Sequence, residues 1–410
     1  IVSVFHRWGL HTETIGEVSD GGLLSVRQGE RTVAELPVEM LVDAPTYRFP
    51  VERPDYLADA HVLVPDSVPP PPDLTATFLD LLASPNIASR APVYGRYDHM
   101  VGTNTVVQPG GDAAVLRVKS TRRGVAFSTD GNGRLCYLEP REGGRIAVAE
   151  AARNVSCAGA TPLAVTDCLN FGSPDDPAVY YQLAEVIEGM AEACRAFETP
   201  VVSGNVSLYN ESNGRAIWPT PVVGMLGLLE RLERRCDIGF QEEGDVIFGL
   251  GVTEARLAGS EYLSHVHGRV AGRPSIDLDF EVALQRFVRD AIGAGLLRSA
   301  HDLSEGGLAV AIAESAFRGC IGARVEGGWL AAALRADIAL FGEAQSRIVV
   351  TVAPERAEGF EHRAAGEDIP CVRLGSVGGD RLIIGPIDVG LGEAQAVWSR
   401  GLADALAGQG

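Results

Sequence analysis

The chain has 410 residues, 54 of them acidic and 35 basic, for a net charge of −19, with 46% hydrophobic and 22% charged residues. Such a balance suits a water-soluble globular protein of two or three domains. It argues against general nucleic-acid binding, which needs a positive surface, and no apolar run is long enough for a membrane span.

The first residues, Ile1 to Arg7, read as neither signal nor transit peptide. The chain opens mid-pattern without an initiator Met, so the expectation is a fragment or a processed product of something longer. Thr14 to Arg27 predicts two strands around the Gly21-Gly22 turn. Pro50, Pro54, Pro65 and the run from Pro69 to Pro72 predict an extended surface linker, followed by a short helix over 73–84. Val101 to Lys119 alternates around Pro109-Gly110-Gly111. Gly124 to Leu138 reads as a hairpin around Asp130-Gly131-Asn132-Gly133. Helical spacing over 144–159 precedes a strand over 162–167. From Pro177 to Phe197, Val179, Leu183, Val186, Ile187, Met190, Cys194 and Phe197 form one apolar helical stripe. Beyond 229 the pattern predicts a buried strand at 246–250, an amphipathic helix over 280–297, a buried helix over 308–317, and strands at 347–352 and 381–384.

Seven cysteines, an odd number with no Cys-x-x-Cys pair, predict scattered, mostly buried thiols in a reducing cytosol. His265-Val266-His267 reads as a surface loop rather than a metal site. There is no P-loop, no full dinucleotide fingerprint and no nucleophile elbow.

The most informative stretch is Pro200 to Glu211. Val201-Val202 reads as a buried strand that delivers Ser203-Gly204-Asn205-Val206-Ser207 to an open edge. Gly204 allows close backbone approach to a ligand, Asn205 offers a carbonyl oxygen to a hard cation, and Ser207 offers a hydroxyl. The competing reading is a strand followed by a Gly-Asn turn. Asp167, at a neighbouring strand end, suits either a nucleotide or its metal, or a cap ahead of Leu169. In His301 to Gly307, Ser304 reads as a helix N-cap and Asp302 as a possible cation ligand, against a capped helix with an acidic loop. His301 reads as a hydrogen-bonded structural residue, and Asp112 as a turn residue.

These segments together resemble phosphoribosylformylglycinamidine synthase, in the form whose synthase is a separate subunit. The matching motifs run in order: Tyr97-Asp98 with Val101 to Thr105, Ser128 to Gly133, Ala149 to Asn154, Thr166 to Gly172, Val202 to Glu211, Pro219 to Pro221, His301 to Gly307, and Phe341 to Glu343. The resemblance implies an α/β fold of α+β layers, with aminoimidazole ribonucleotide synthetase-like N-terminal and C-terminal domains. It divides the chain into the tail of a preceding repeat (1–50), a Pro-rich linker with a short helix (51–88), an N-terminal-type domain (89–228) and a C-terminal-type domain (229–410).

The family reaction is the ATP-dependent conversion of formylglycinamide ribonucleotide and glutamine-derived ammonia to formylglycinamidine ribonucleotide. Carried over by motif, Asp167 and Gly204 would contact ATP, Asn205 would bind Mg²⁺ and Ser207 would contact the ribonucleotide. The resemblance places the catalytic histidine in the missing N-terminal half, so no catalytic residue is assigned here. Asp302 and Ser304 correspond to a position that holds a second nucleotide in relatives. A glutaminase subunit and a small bridging subunit are the implied partners, and the implied location is cytoplasmic. The alternative is a non-catalytic nucleotide-binding or assembly module.

Overall fold

The computed structural model describes residues 1–43, 46–326 and 334–408, in two units, 1–49 and 50–410. In the first, a short helix, Val2–Arg7, precedes the antiparallel hairpin β1 (Leu23–Gln28) and β2 (Arg31–Pro37). The hairpin turns at Gly29-Glu30, so the expected turn at Gly21-Gly22 is a correction: those glycines lie ahead of the first strand. Gln28 pairs with Arg31, and Gly29 takes the positive φ that this tight turn needs.

The second unit begins with residues that do more than link. Leu57 and Val68 are fully buried. Helix Leu74–Ala83 is capped by Asp73, which accepts from Thr75 N at 2.9 Å and Ala76 N at 3.0 Å. Its Phe78, Leu81 and Leu82 are buried, and the helix packs on Leu391–Ala407, the last helix of the chain. The proline-rich segment thus runs largely over the surface, with Pro69, Pro70 and Pro72 exposed, and is pinned to the core at Pro54, Leu57 and Val68.

Six strands form the next layer: β3 (Thr105–Val107), β4 (Ala114–Arg117), β5 (Gly124–Asp130), β6 (Thr161–Asn170), β7 (Val201–Ser207) and, after the small ribbon β8 (Glu211–Ser212) and β9 (Arg215–Ala216), β10 (Thr220–Leu229). Their order is β3-β4-β5-β10-β6-β7, antiparallel except for the β6–β7 pair. Helices Pro140–Cys157 and Pro177–Ala196 share a buried cluster with alternate residues of β10, including Val223 and Met225. The two helices approach closely because both carry glycine at the contact. A Cβ on Gly144 would lie 2.3 Å from Val186 O, and one on Gly189 would lie 1.9 Å from Arg141 O. Asp176 caps the second helix through Ala178 N, with Pro177 at its first position.

The expected hairpin at Asp130 to Gly133 does not form. β5 ends at Asp130, and Asn132 caps helix Gly133–Leu138 by accepting from Arg134 N at 3.0 Å. A Gly-Asn-Gly run serves a helix start as well as a hairpin turn.

The last sheet holds β11 (Val246–Leu250), β12 (Leu297–Asp302), β13 (Ala323–Val325), β14 (Ile348–Val352), β15 (Cys371–Val377), β16 (Arg381–Ile384) and β17 (Ile387–Gly390), ordered β12-β14-β11-β15-β13-β16-β17. Only β13–β16 is parallel among its pairs. The helix expected over 280–297 spans Leu278–Gly293, with Gly295 in the left-handed region; residues from Leu297 onward are strand. Helix Gly307–Gly319 is buried along most of its length. Both sheets are mainly antiparallel, which makes the class α+β. Among the described residues no helix is long and apolar enough to cross a membrane.

Candidate functional site

β7 is the edge strand of its sheet, and the register sets Asp167 beside Gly204, Cys168 beside Asn205 and Asn170 beside Ser207. The four singled-out residues thus lie on two adjacent strands. Asp167, Gly204 and Asn205 lie within the strands, with β6 running three residues past Asp167, while Ser207 is the last residue of β7. The strand is not buried either, since Val201 and Val202 are exposed. The expected buried strand fails: β7 is an edge strand with no strand beyond it among the described residues.

Side chains alternate along a strand, so Ser203, Asn205 and Ser207 share one face while Gly204 and Val206 belong to the other. A Cβ on Gly204 would fall 2.0 Å from Asp167 Oδ1, so the missing side chain is what admits the carboxylate. Burial raises the Asp167 carboxyl above its ordinary value. A ligand touching both Gly204 and Asn205 must therefore run over the free edge of β7, where the backbone is also unpaired.

Sequence reasoning missed several groups here. Thr166 Oγ1 and Ser203 Oγ are 2.7 Å apart on the exposed face. Asn170 Nδ2 donates to Cys168 O at 3.0 Å and to Thr220 O at 3.3 Å. Asn210 Nδ2 donates to Phe171 O at 2.9 Å and Ser207 O at 2.8 Å, while Ser207 Oγ donates to Asn210 Oδ1 at 3.1 Å. The Ser-x-x-Asn spacing of Ser207 and Asn210 was the available signal. Beside them, Trp218 stacks on Tyr137 (centroids 5.7 Å apart), which stacks on Tyr56 at 4.3 Å.

Asn205 is exposed and offers one oxygen, while Mg²⁺ takes about six. Among the described residues no three His, Cys, Asp or Glu side chains converge to hold an ion. The residues present fit one share of a metal shell, with phosphate and water oxygens supplying others.

A second polar cluster lies between the two large sheets' domains. Arg153 is fully buried and pairs with Asp302 and, at 2.9 Å, with Glu281 Oε1. Burial lifts Asp302 to about 6 despite Arg153 beside it, and lifts Asp130 to about 7. Burial, with the nearby Glu305 and Asp302 carboxylates, holds Glu150 well above its usual range. Asp302 is thus an ion-pair partner, with Oδ2 buried and unpartnered. Ser304 is not the N-cap: Gly306 holds that position with positive φ, and its N–H donates to Glu343 Oε1 at 2.7 Å.

Asp112 is more than a turn residue. Its Oδ1 meets His301 Nδ1 at 2.6 Å, and its Oδ2 accepts from Asp302 N at 2.8 Å. Burial alone would lower the His301 pKa, but Asp112 and Glu314 outweigh it and hold the imidazolium well above its ordinary range. His265 lies within a helical turn, Tyr262–Val266, and His267 caps its end, rather than either lying in a loop; His265 pairs with Asp80 at 3.1 Å, and His267 meets the Tyr262 ring edge-on.

The AIR synthase related protein, N-terminal domain, matches residues 110–229, and the corresponding C-terminal domain matches 242–385. Over 386 residues the chain is 50% identical to the phosphoribosylformylglycinamidine synthase subunit PurL of Moorella thermoacetica, covering 94% of this chain and 52% of that protein. The same-named subunit of Thermomicrobium roseum is 50% identical over 412 residues, covering 98% and 56%. The chain therefore spans about half the length of the curated relatives it matches. The structure "T. maritima PurL complexed with AMPPCP" is similar with TM-score 0.56 and 26% identity, covering 88% of this chain and 51% of that one. "T. maritima PurL complexed with FGAR", at 21% identity, shares the fold with TM-score 0.65 over 79% of this chain and 54% of that one. Built from an N-terminal and a C-terminal domain of that type, and half identical to synthase subunits along nearly its whole length, the chain belongs to the AIR synthase related family.

Proposed function

We propose that this chain supplies one half of an ATP-dependent, amidine-forming ligase of purine biosynthesis. The observation that carries the reading is the β7 edge, where Gly204, Asn205 and Ser207 stand open beside Asp167. The reading follows the relatives' names and the ordered motifs of the sequence. In it, the amide oxygen of formylglycinamide ribonucleotide attacks the γ-phosphoryl group of ATP and ADP leaves. Ammonia then attacks the activated carbon, a proton is lost and phosphate departs, forming the amidine. Catalysis of this kind rests on positioning and charge neutralisation.

The residue roles follow from chemistry. Gly204 lets nucleotide approach the strand, Asp167 orients a donor on it, Asn205 gives one oxygen to Mg²⁺, and Ser207 contacts the ribonucleotide. The chain itself supplies no catalytic base in this scheme. Residues 1–50 act as the tail of a preceding repeat, 51–88 as an anchored connection, 89–228 as the ligand-bearing domain and 229–410 as the outer domain. The partners are a polypeptide equivalent to the first half of the relatives, a glutaminase subunit and a small bridging subunit. Seven unpaired cysteines fit a cytoplasmic setting.

The test is ADP release with Mg-ATP, formylglycinamide ribonucleotide and ammonium chloride, with and without a separately expressed first half. Activity is expected only on mixing. Turnover by this chain alone would overturn the missing-base assignment, and silence in both arms would favour a non-catalytic binding module.

A further inference from the structure

We propose that Asn210 is a positioning residue that fixes Ser207 as a hydrogen-bond acceptor, so that the substrate group received there is an O–H or N–H donor and not the phosphate. The inference rests on the reading of Ser207 as a ribonucleotide contact.

The argument is a proton count. The Asn210 amide nitrogen faces two backbone carbonyl oxygens, Phe171 O at 2.9 Å and Ser207 O at 2.8 Å. Carbonyl oxygens only accept, so the amide cannot turn over without setting oxygen against oxygen. Its Oδ1 must then face Ser207 Oγ, 3.1 Å away, and the serine hydroxyl must donate to it. One hydroxyl carries one proton. With that proton committed, Ser207 presents lone pairs to whatever approaches.

Backbone ties hold this arrangement. Asn210 N donates to Phe171 O at 3.1 Å, Phe171 N to Ser207 O at 3.0 Å, and Ile217 N to Asn210 O at 3.1 Å. The ends of β6 and β7 and the ribbon that follows are thus tied together at Asn210, through its backbone and its side chain. Turning the Ser207 proton outward toward a phosphate oxygen would strand Asn210 Oδ1, which has no other hydrogen-bond partner among the described residues. Ribose hydroxyls and amide N–H groups ask for the acceptor that Ser207 offers; a phosphate dianion asks for a donor.

The test uses the reconstituted two-half enzyme. Ser207→Ala and Asn210→Ala should each raise KM for the ribonucleotide about 3- to 10-fold, the scale of one neutral hydrogen bond, with KM for ATP unmoved. The double variant should be no worse than Ser207→Ala, because Asn210 acts through Ser207. Substrate analogues with fluorine at the 2′ or 3′ position, or N-methylated at either amide, delete donors one at a time. One of them should be penalised by the native enzyme and not by Ser207→Ala, while the dephosphorylated riboside is penalised equally by both. Additive single effects, or a phosphate preference that collapses in Ser207→Ala, would overturn the proposal. If Ser207→Ala leaves KM untouched, the ribonucleotide reading of Ser207 falls as well. If only Asn210→Ala is silent, that reading stands and the positioning role falls.

Discussion

The β7 edge and the Arg153 cluster are both polar, both drawn from sequence motifs, and physically opposite. At β7 the groups are small, nearly all neutral, and exposed or half-buried, and their hydrogen-bonding capacity is only partly used. Around Arg153 the groups are charged and buried, and their capacity is largely spent on one another. Residues that bind need unspent capacity; residues that hold domains together need it consumed. Motif content alone does not separate the two cases, because Asp167 and Asp302 both sit in matching motifs and both read as candidate ligands.

The comparison breaks most visibly at Arg153. Arg153→Met strands Glu281 and Asp302 as buried carboxylates and should cost about 3–5 kcal/mol, read from the denaturant midpoint. Gly204→Ala should come next, at about 1–3 kcal/mol, because the new Cβ meets Asp167 Oδ1. Adding Asp167→Ala should recover part of that loss, which a mere β-propensity effect would not allow. At the other end of the scale, Asn205→Ala should change stability by less than about 0.5 kcal/mol, since the side chain is exposed. In the reconstituted enzyme it should still raise KM for Mg-ATP about 10-fold, the scale of losing a group around a metal. Equal losses of stability and activity would return Asn205 to the turn reading.

A pH measurement sharpens the same contrast. Burial, then the neighbouring Glu305 carboxylate, pushes Glu343 from 4.5 up to about 8. The folded chain therefore keeps a proton that the unfolded chain releases, and stability falls as pH rises from about 4.5 to about 8. Glu343→Gln keeps an acceptor for Glu261 N and Gly306 N and should flatten that slope. An unchanged slope in thermal melts between those pH values would assign it to other groups, Asp130 first.

Helix Pro177–Ala196 was legible because its stripe is long and Asp176-Pro177 marks its start. The β11 strand was legible as a short apolar run. Gly131-Asn132-Gly133 misled because one dipeptide chemistry serves two local structures, and only the burial of Leu135 and Leu138 selects the helix. β7 misleads in another way: its polar residues read as the end of a strand, but backbone pairing with β6 carries the strand through them. Asp112 and His301 are 189 positions apart, so their contact is a property of the packed domains and leaves no trace in local pattern. The four singled-out residues lie on two adjacent strands, but the placing of Asp167 beside Gly204 depends on register, which the sequence does not display.

The aromatic stack at this end of the sheet has a spectroscopic consequence. Trp218 follows Ile217, whose N–H bonds to Asn210 O, so the indole sits one residue from the Ser207–Asn210 knot. It is 44% exposed on a stacked tyrosine, while Trp8 belongs to the first unit and Trp398 to the last helix. With Trp8, Trp329 and Trp398 changed to phenylalanine, the remaining emission would come from Trp218 alone. Occupancy near Ser207 would then be read as a change in emission wavelength or quenching, with no label attached and no turnover required.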